Sequence, residues 1–267
     1  MNKEQNISQL VITRASLPAQ LTSEQAKEGI IVCLNKPLNW TSFNLVAKLK
    51  YPLQYRLYEK KLKVGHAGTL DPLASGVMIV CTGKATKRIS EFQEGTKEYI
   101  ATLKLGATTA SFDLEKEIDA TYPWEHITRE KVDEILPRFL GRIEQVPPAF
   151  SACKINGRKA YELARAGEEV ELKTKILVID EIEILHCELP ILKLRVVCSK
   201  GTYIRALARD IGLALESGAH LIALERTKIG EAHIDMCLSV EELQEWIDNV
   251  LPHTTSDIEI TSKQIKK

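Results

Sequence analysis

Apolar and polar residues alternate strictly along Lys97–Leu105 (KEYIATLKL), which predicts a strand presenting Tyr99, Ala101, Leu103 and Leu105 on one face. Ile191–Cys198 repeats the period of two with Leu192, Leu194, Val196 and Cys198, and residues 176–185 predict a partner strand, the two meeting at a loop around Leu189-Pro190. The uninterrupted apolar runs at 29–34 (GIIVCL) and 76–82 (GVMIVCT) predict buried strands. Helical spacing replaces the period of two elsewhere. Thr41 or Ser42 caps a helix to about Lys50, with Phe43, Val46, Ala47 and Leu49 or Lys50 on its apolar side. Residues 128–140 bury Val132, Ile135, Leu136 and Phe139, with Pro137 bending the helix. A short helix over 159–165 is stopped by Gly167, a helix after Tyr203 buries Ile204, Leu207, Ala208 and Ile211, and 239–250 is a capped amphipathic helix. The sum is an α/β chain of the mixed, α+β kind: one large, mostly antiparallel sheet flanked by helices. Residues 1–28 are polar without a period and predict a loosely attached or partly ordered arm. Residues 29–238 are expected to form the main domain, and 239–267 a terminal helix and polar tail.

With 267 residues, 44% hydrophobic and 27% charged, the chain has the balance of a soluble globular protein. No apolar run approaches the roughly 20 residues a bilayer span needs, and MNKEQNISQL lacks a leader pattern, so no membrane contact and a cytoplasmic location are expected. Six cysteines without a CxxC are read as reduced structural thiols. The six histidines show no HExxH, and neighbouring His186 and Cys187 would point to opposite faces of a strand, so no metal is expected. A net charge of zero argues weakly against a nucleic-acid partner. Its distribution argues the other way, since residues 48–63 (KLKYPLQYRLYEKKLK) are basic, interleaved with Tyr and Leu, and hold Glu59 as their only acid. Such a run is either a solvated surface or a polyanion contact.

Chemistry concentrates in residues 64–88, VGHAGTLDPLASGVMIVCTGKATKR. Gly65, Gly68 and Gly76 permit tight backbone, and Pro72 drives Asp71 toward an extended conformation, so Asp71 sits on a constrained loop. By local chemistry alone an Asp before Pro is first a turn residue. The GKATK that follows is no phosphate loop: Met78 and Ala85 stand where that pattern needs Gly and Ser or Thr.

GHAGTLDPLASG closely resembles the catalytic motif of the TruB family of tRNA pseudouridine synthases, and the likeness runs from about Gly29 to about Gly230. It continues in CTGKATK (81–87), in the K-x-Y of Lys97–Tyr99, in QVPPAFSACK (145–154), in CSKGTYIRALARDIG (198–212) and in GAHLIALER (218–226). The resemblance implies the pseudouridine synthase fold over residues 29–238, with an insertion at about 145–172 clamping RNA, and isomerisation of uridine 55 in the T loop of tRNA by Asp71 acting on a flipped nucleotide. It implies that Arg205 pairs with Asp71, that Tyr99 and Leu224 line the uracil pocket, that Tyr203 lies near the arginine, and that His66 fills the space the base vacates. Lys36, in the Lys-Pro pair of the family's opening block, supports the site or contacts RNA. Lys61, Lys63, Lys84, Lys87, Lys154, Arg158 and Lys159 are expected phosphate contacts, with Arg165 a further one. Asp113 is expected to give structural support at most. The expected partner is the T arm of tRNA, no cofactor is required, and a monomer suffices. The residues after 238 are too few for the further RNA-binding domain of larger relatives, which implies a short form. Two other classes stand beside this reading. A noncatalytic RNA-binding or folding protein would share the basic segment without needing Asp71. A hydrolase using Asp71 or Ser75 with His66 lacks a GxSxG elbow or a second paired carboxylate.

Overall fold

A computed structural model describes residues 10–151, 154–155, 157–166 and 172–251. The chain is mixed α/β, with sheet flanked by helices as the periodicities imply. Its contacts divide it into two compact units, one running to Glu94 and resuming at Lys228, the other comprising Gly95–Thr227. Among the described residues no helix is long and apolar enough to cross a membrane.

The first unit opens with β1 (Leu10–Ile12), α1 (Ser23–Glu28) and β2 (Ile30–Lys36). Residues 10–28 thus carry a strand and a helix, the described part of the partly ordered arm. β1 pairs in parallel with β2 at Ile30–Val32, and Thr22 and Gln25 close a capping box on α1. After α2 (Ser42–Arg56), β3 (Val64–His66) and β4 (Ala74–Thr82) pair antiparallel, and β2 pairs antiparallel with β4 along Ile31–Lys36. The 3-10 turn Gly83–Arg88 then leads into α3 (Ile89–Glu94). Gly83 has φ +51°, and a Cβ there would collide with the Lys27 carbonyl. The glycine of GKATK serves the packing of α1.

The second unit holds β5 (Lys97–Leu105), the small hairpin β6 (Ala107–Thr109) and β7 (Ile118–Thr121), α4 (Arg129–Ile135) and β8 (Gly141–Gln145). It continues through β9 (Lys154–Ile155), β10 (Arg158–Lys159), α5 (Ala160–Arg165), β11 (Lys175–Glu188), β12 (Ile191–Cys198), α6 (Ile204–Ala214) and β13 (Ala219–Ile229). Its sheet runs β13-β5-β12-β11-β8. The two alternating strands lie antiparallel with Tyr99 opposite Val196, Ala101 opposite Leu194 and Leu103 opposite Leu192, so both apolar sets share the core face. On the other face Arg195 collects Glu98, Glu181 and Glu183 at 2.9, 2.5 and 2.9 Å.

The chain returns to the first unit with β14 (Ala232–His233), paired to Lys228 and Ile229, and α7 (Val240–Val250), whose Ser239 and Glu242 form a second capping box. Leu238 donates its N–H to Cys33 O and accepts from Asn35 N, tying the segment before α7 to β2.

Cys33, Cys81 and Cys198 are buried, and desolvation pushes their thiols up to about 11, about 12 and about 11. At pH 8 only about one thiol in a thousand would be thiolate at a pKa of 11. Iodoacetamide at pH 8 should leave these three unlabelled in the native protein and label them in urea, as read by peptide mass mapping.

Candidate active site

The loop between β3 and β4 carries Asp71 and is braced at both ends. Ala67, fully buried, donates its N–H to Ile79 O at 2.9 Å, and Ala74 N closes back on Asp71 O at 3.1 Å. Gly68 and Gly76 adopt φ +108° and +109°, a region only glycine enters without strain. Ser42, the first residue of α2, grips Leu70 twice: its hydroxyl donates to Leu70 O and accepts from Leu70 N, both at 2.9 Å. Asn39 N donates to Pro72 O at 2.8 Å. The carboxylate of Asp71 is half-buried on this frame, and His66, at the end of β3, is half-buried too.

Lys36 is a correction. As a phosphate contact it would have to reach solvent, yet it is 0% exposed and donates to the carbonyls of Pro37 at 2.9 Å and Trp40 at 2.6 Å, with Pro72 O at 3.5 Å. Burial of an ammonium is tolerable only with such partners. They make it an internal brace between the turn after β2 and the Asp71 loop.

The basic segment splits in two. α2 runs through Pro52 to Arg56, beyond the expected end near Lys50, and takes Lys48 and Lys50 with it. Its core face is Leu45, Val46, Leu49 and Leu53, whereas Phe43, expected inward, is exposed. Lys60, Lys61 and Lys63 follow in turns and are exposed. With Lys50, Gln54 and Thr86 they line a concavity of about 520 Å³. A neighbouring one of about 330 Å³ shares Lys61 and Lys63 and adds Lys27, Lys84 and Lys87. Glu59, the single acid of the run, turns to Lys27 at 2.5 Å and accepts from Ser23; the Lys27 hydrogen bond, then that of Ser23, holds its carboxyl below the usual range. Lys84 is engaged by Glu28 at 2.5 Å, so Lys61, Lys63 and Lys87 carry more of the groove's net charge. Lys50 and Lys60 complete a groove that the sequence alone located only as a run.

In the second unit Arg205 sits in the first turn of α6 and is 4% exposed. Expected off the buried face, it is enclosed all the same. Its Nε lies 3.6 Å from Asp113 Oδ2, Nη1 donates to Ser111 O at 3.1 Å and Nη2 to Phe150 O at 2.8 Å. Asp113, 6% exposed, is held in turn by the N–H of Glu115 on Oδ1. Tyr203, the N-cap of α6, makes no side-chain cap; Gln145, 1% exposed, instead accepts from Tyr203 N at 2.9 Å and donates to Tyr203 O at 3.2 Å. The QVPPAF segment is therefore fastened to the start of α6 by Gln145 and Phe150. Tyr99 is 9% exposed on β5, and Leu224 is half-buried on β13. Arg158 is exposed on β10, whereas the side chains of Lys154, Lys159 and Arg165 lie outside the described residues.

Comparison with known proteins matches residues 55–204 to the model of the TruB family pseudouridylate synthase N-terminal domain, and residues 205–255 to that of the tRNA pseudouridylate synthase B C-terminal domain. Proteins named tRNA pseudouridine synthase B are similar over most of their length. The one from Parabacteroides distasonis is 71% identical over 220 residues, 82% of this chain and 94% of the relative, and that from Phocaeicola vulgatus 69% over 222 residues, 83% and 94%. Among solved structures, a chain of a Cbf5-Nop10-Gar1 complex superposes with a TM-score of 0.61 at 25% identity, covering 90% of this chain and 64% of that one.

Proposed function

The chain belongs to the TruB family of pseudouridylate synthases and is a tRNA-modifying enzyme of that class; we propose that it isomerises uridine 55 in the T loop with Asp71 as the reacting carboxylate. The observation that supports the assignment is the frame around Asp71: Lys36 and Ser42 hold the main chain of the loop on both sides of it, as a positioned carboxylate requires. The reaction asks for little else. The bond from N1 to the ribose breaks, C5 bonds to the same ribose carbon, and one proton leaves C5 while another is gained at N1, so atoms and electrons balance within one nucleotide. An ionised, oriented carboxylate is the group such bond exchange needs. In this reading, which follows the family pattern, Arg205 is the cation that favours the charged form of Asp71, Tyr99 and Leu224 are the residues for the uracil, Tyr203 goes with the arginine, and His66 takes the place the base leaves. Extruding the base costs roughly a few kcal/mol, which contacts along the T arm offset. Lys61, Lys63, Lys84, Lys87 and Arg158 supply those contacts, with Lys154 and Lys159 on the insertion, and the enzyme works as a cytoplasmic monomer.

The test is carbodiimide labelling and primer extension on an unmodified tRNA transcript. A stop at position 55, absent when that uridine is replaced by cytidine, supports the reading; a stop elsewhere reassigns the target. The groove makes its own prediction. Changing Lys60, Lys61 and Lys63 together to Ala should weaken tRNA binding about 10- to 100-fold. It should also flatten the slope of log K against log salt by about 2 to 3, since each phosphate contact contributes 0.7 to 0.9. Filter binding between 50 and 200 mM salt reads both.

A further inference from the structure

The outer face of α2 is unlike an ordinary solvated helix surface. Leu45, Val46, Leu49 and Leu53 occupy its core side. On the opposite arc Phe43, Ala47, Tyr51 and Tyr55 follow at intervals of four, one stripe along the helix. Phe43 is 68% exposed, Tyr51 and Tyr55 55% each, and Tyr58, just past the helix, 80%. Scattered exposed apolar residues need no explanation, but an apolar row that carries three exposed aromatic rings on one helix face marks a contact surface. Trp40, Phe43, Ala47, Tyr51 and Pro52 line a shallow groove of about 400 Å³ whose only charged residue is Lys48. The helix sequence, SFNLVAKLKYPLQYR, contains no acid, and the Lys50 ammonium lies 5.9 Å from the centre of the Tyr51 ring.

We propose that this face is a second RNA-contact surface, on which Phe43 and Tyr51 stack unpaired bases of the tRNA while Lys48 and Lys50 meet the backbone. The proposal rests on the tRNA reading above. Three features choose RNA over a protein occupant. Aromatic faces alternating with cations are the arrangement that binds unpaired nucleotides whatever their sequence. The helix offers no carboxylate to answer a partner's basic residues. The stripe also adjoins surfaces proposed above to meet RNA: its first residue, Phe43, follows Ser42, which is hydrogen bonded to Leu70 of the Asp71 loop, and Lys50 and Gln54 on the same helix line the lysine groove. α2 extends about 22 Å from that loop, which suits nucleotides flanking the target more than the target itself.

The test uses full-length protein carrying Asp71→Asn, so that complexes do not turn over, and an unmodified tRNA transcript. Adding Phe43→Ala with Tyr51→Ala should raise the dissociation constant about tenfold or more while leaving the salt slope at the parent's value, because stacking releases no counterions. The aromatic pair Phe43→Trp with Tyr51→Phe should stay within about threefold of the parent. Both side chains are exposed, and a thermal melt confirms that each variant is folded. A dissociation constant within about twofold of the parent for the alanine pair overturns the proposal and turns the groove over to a protein partner. An equal loss in the aromatic pair, or a flattened slope in the alanine pair, also overturns it. Failure of the parent itself to bind tRNA would defeat the tRNA assignment, a separate result.

Discussion

Asp71→Asn should lower the single-turnover rate of pseudouridine formation by at least about 10⁴-fold, about 5.4 kcal/mol of transition-state stabilisation. The dissociation constant for tRNA should move by less than tenfold, about 1.4 kcal/mol. The split follows from which atoms do what. The loop is held through the main chain of Leu70, Asp71 and Pro72 and by Ser42 and Lys36, contacts that an asparagine leaves in place. What the amide removes is the charge and the ability to attack or accept a proton. Rapid-quench kinetics with carbodiimide detection gives the rate, and filter binding the affinity. A variant retaining more than about 1% of the rate would show that another group reacts. Loss of binding in parallel with rate would show that the carboxylate also organises the RNA surface.

Strand faces were legible because a period of two on a half-buried sheet leaves no freedom: Leu192, Leu194, Val196 and Cys198 are all fully buried, as their alternation required. Capping chemistry was equally local, and Thr41, Thr128 and Ser239 are N-caps where the sequence placed helix starts. The failures are those of position in space. Phe43 fitted an apolar helix side by spacing, but the side that packs is set by what lies behind the helix, and that is met by Leu45, Val46, Leu49 and Leu53. Residues 10–28 carry little pattern because β1 is three residues long and takes its stability from parallel pairing to β2, a non-local contact. Lys36 illustrates the same limit in the site: nothing in Asn-Lys-Pro says whether an ammonium turns to solvent or to three carbonyls. The Asp71 loop was readable from its glycines and its Pro72. The enclosure of Arg205 by Asp113, Ser111 and Phe150 was not: taken by its residues alone, an arginine outside the apolar set of a helix reads as a surface residue, and its partners come from distant stretches of the chain.

Arg205→Met should cost about 3 to 5 kcal/mol of stability, the usual consequence of removing one partner of a buried pair. For a chain of this size that is on the order of 10 °C in Tm. The side chain of Asp113 is 8% exposed, so it would be left charged and enclosed, and the carbonyls of Ser111 and Phe150 would each lose a donor. A fall in activity alone would therefore be uninformative, because an unfolded enzyme is also inactive. The second replacement separates the causes. Asp113→Asn added to Arg205→Met removes the stranded charge and should return about 0.5 to 3 kcal/mol, the range found for residues in contact. If Arg205 serves only the interior of its own unit, turnover should return with stability. If it also holds the Asp71 carboxylate ionised and oriented, the double variant should regain that part of its stability and still turn over at least about 100-fold more slowly, with tRNA binding little changed. Arg205→Lys completes the series: it keeps the charge but not the planar fork that reaches Asp113, Ser111 and Phe150 together, so it should fall between the two in both stability and rate.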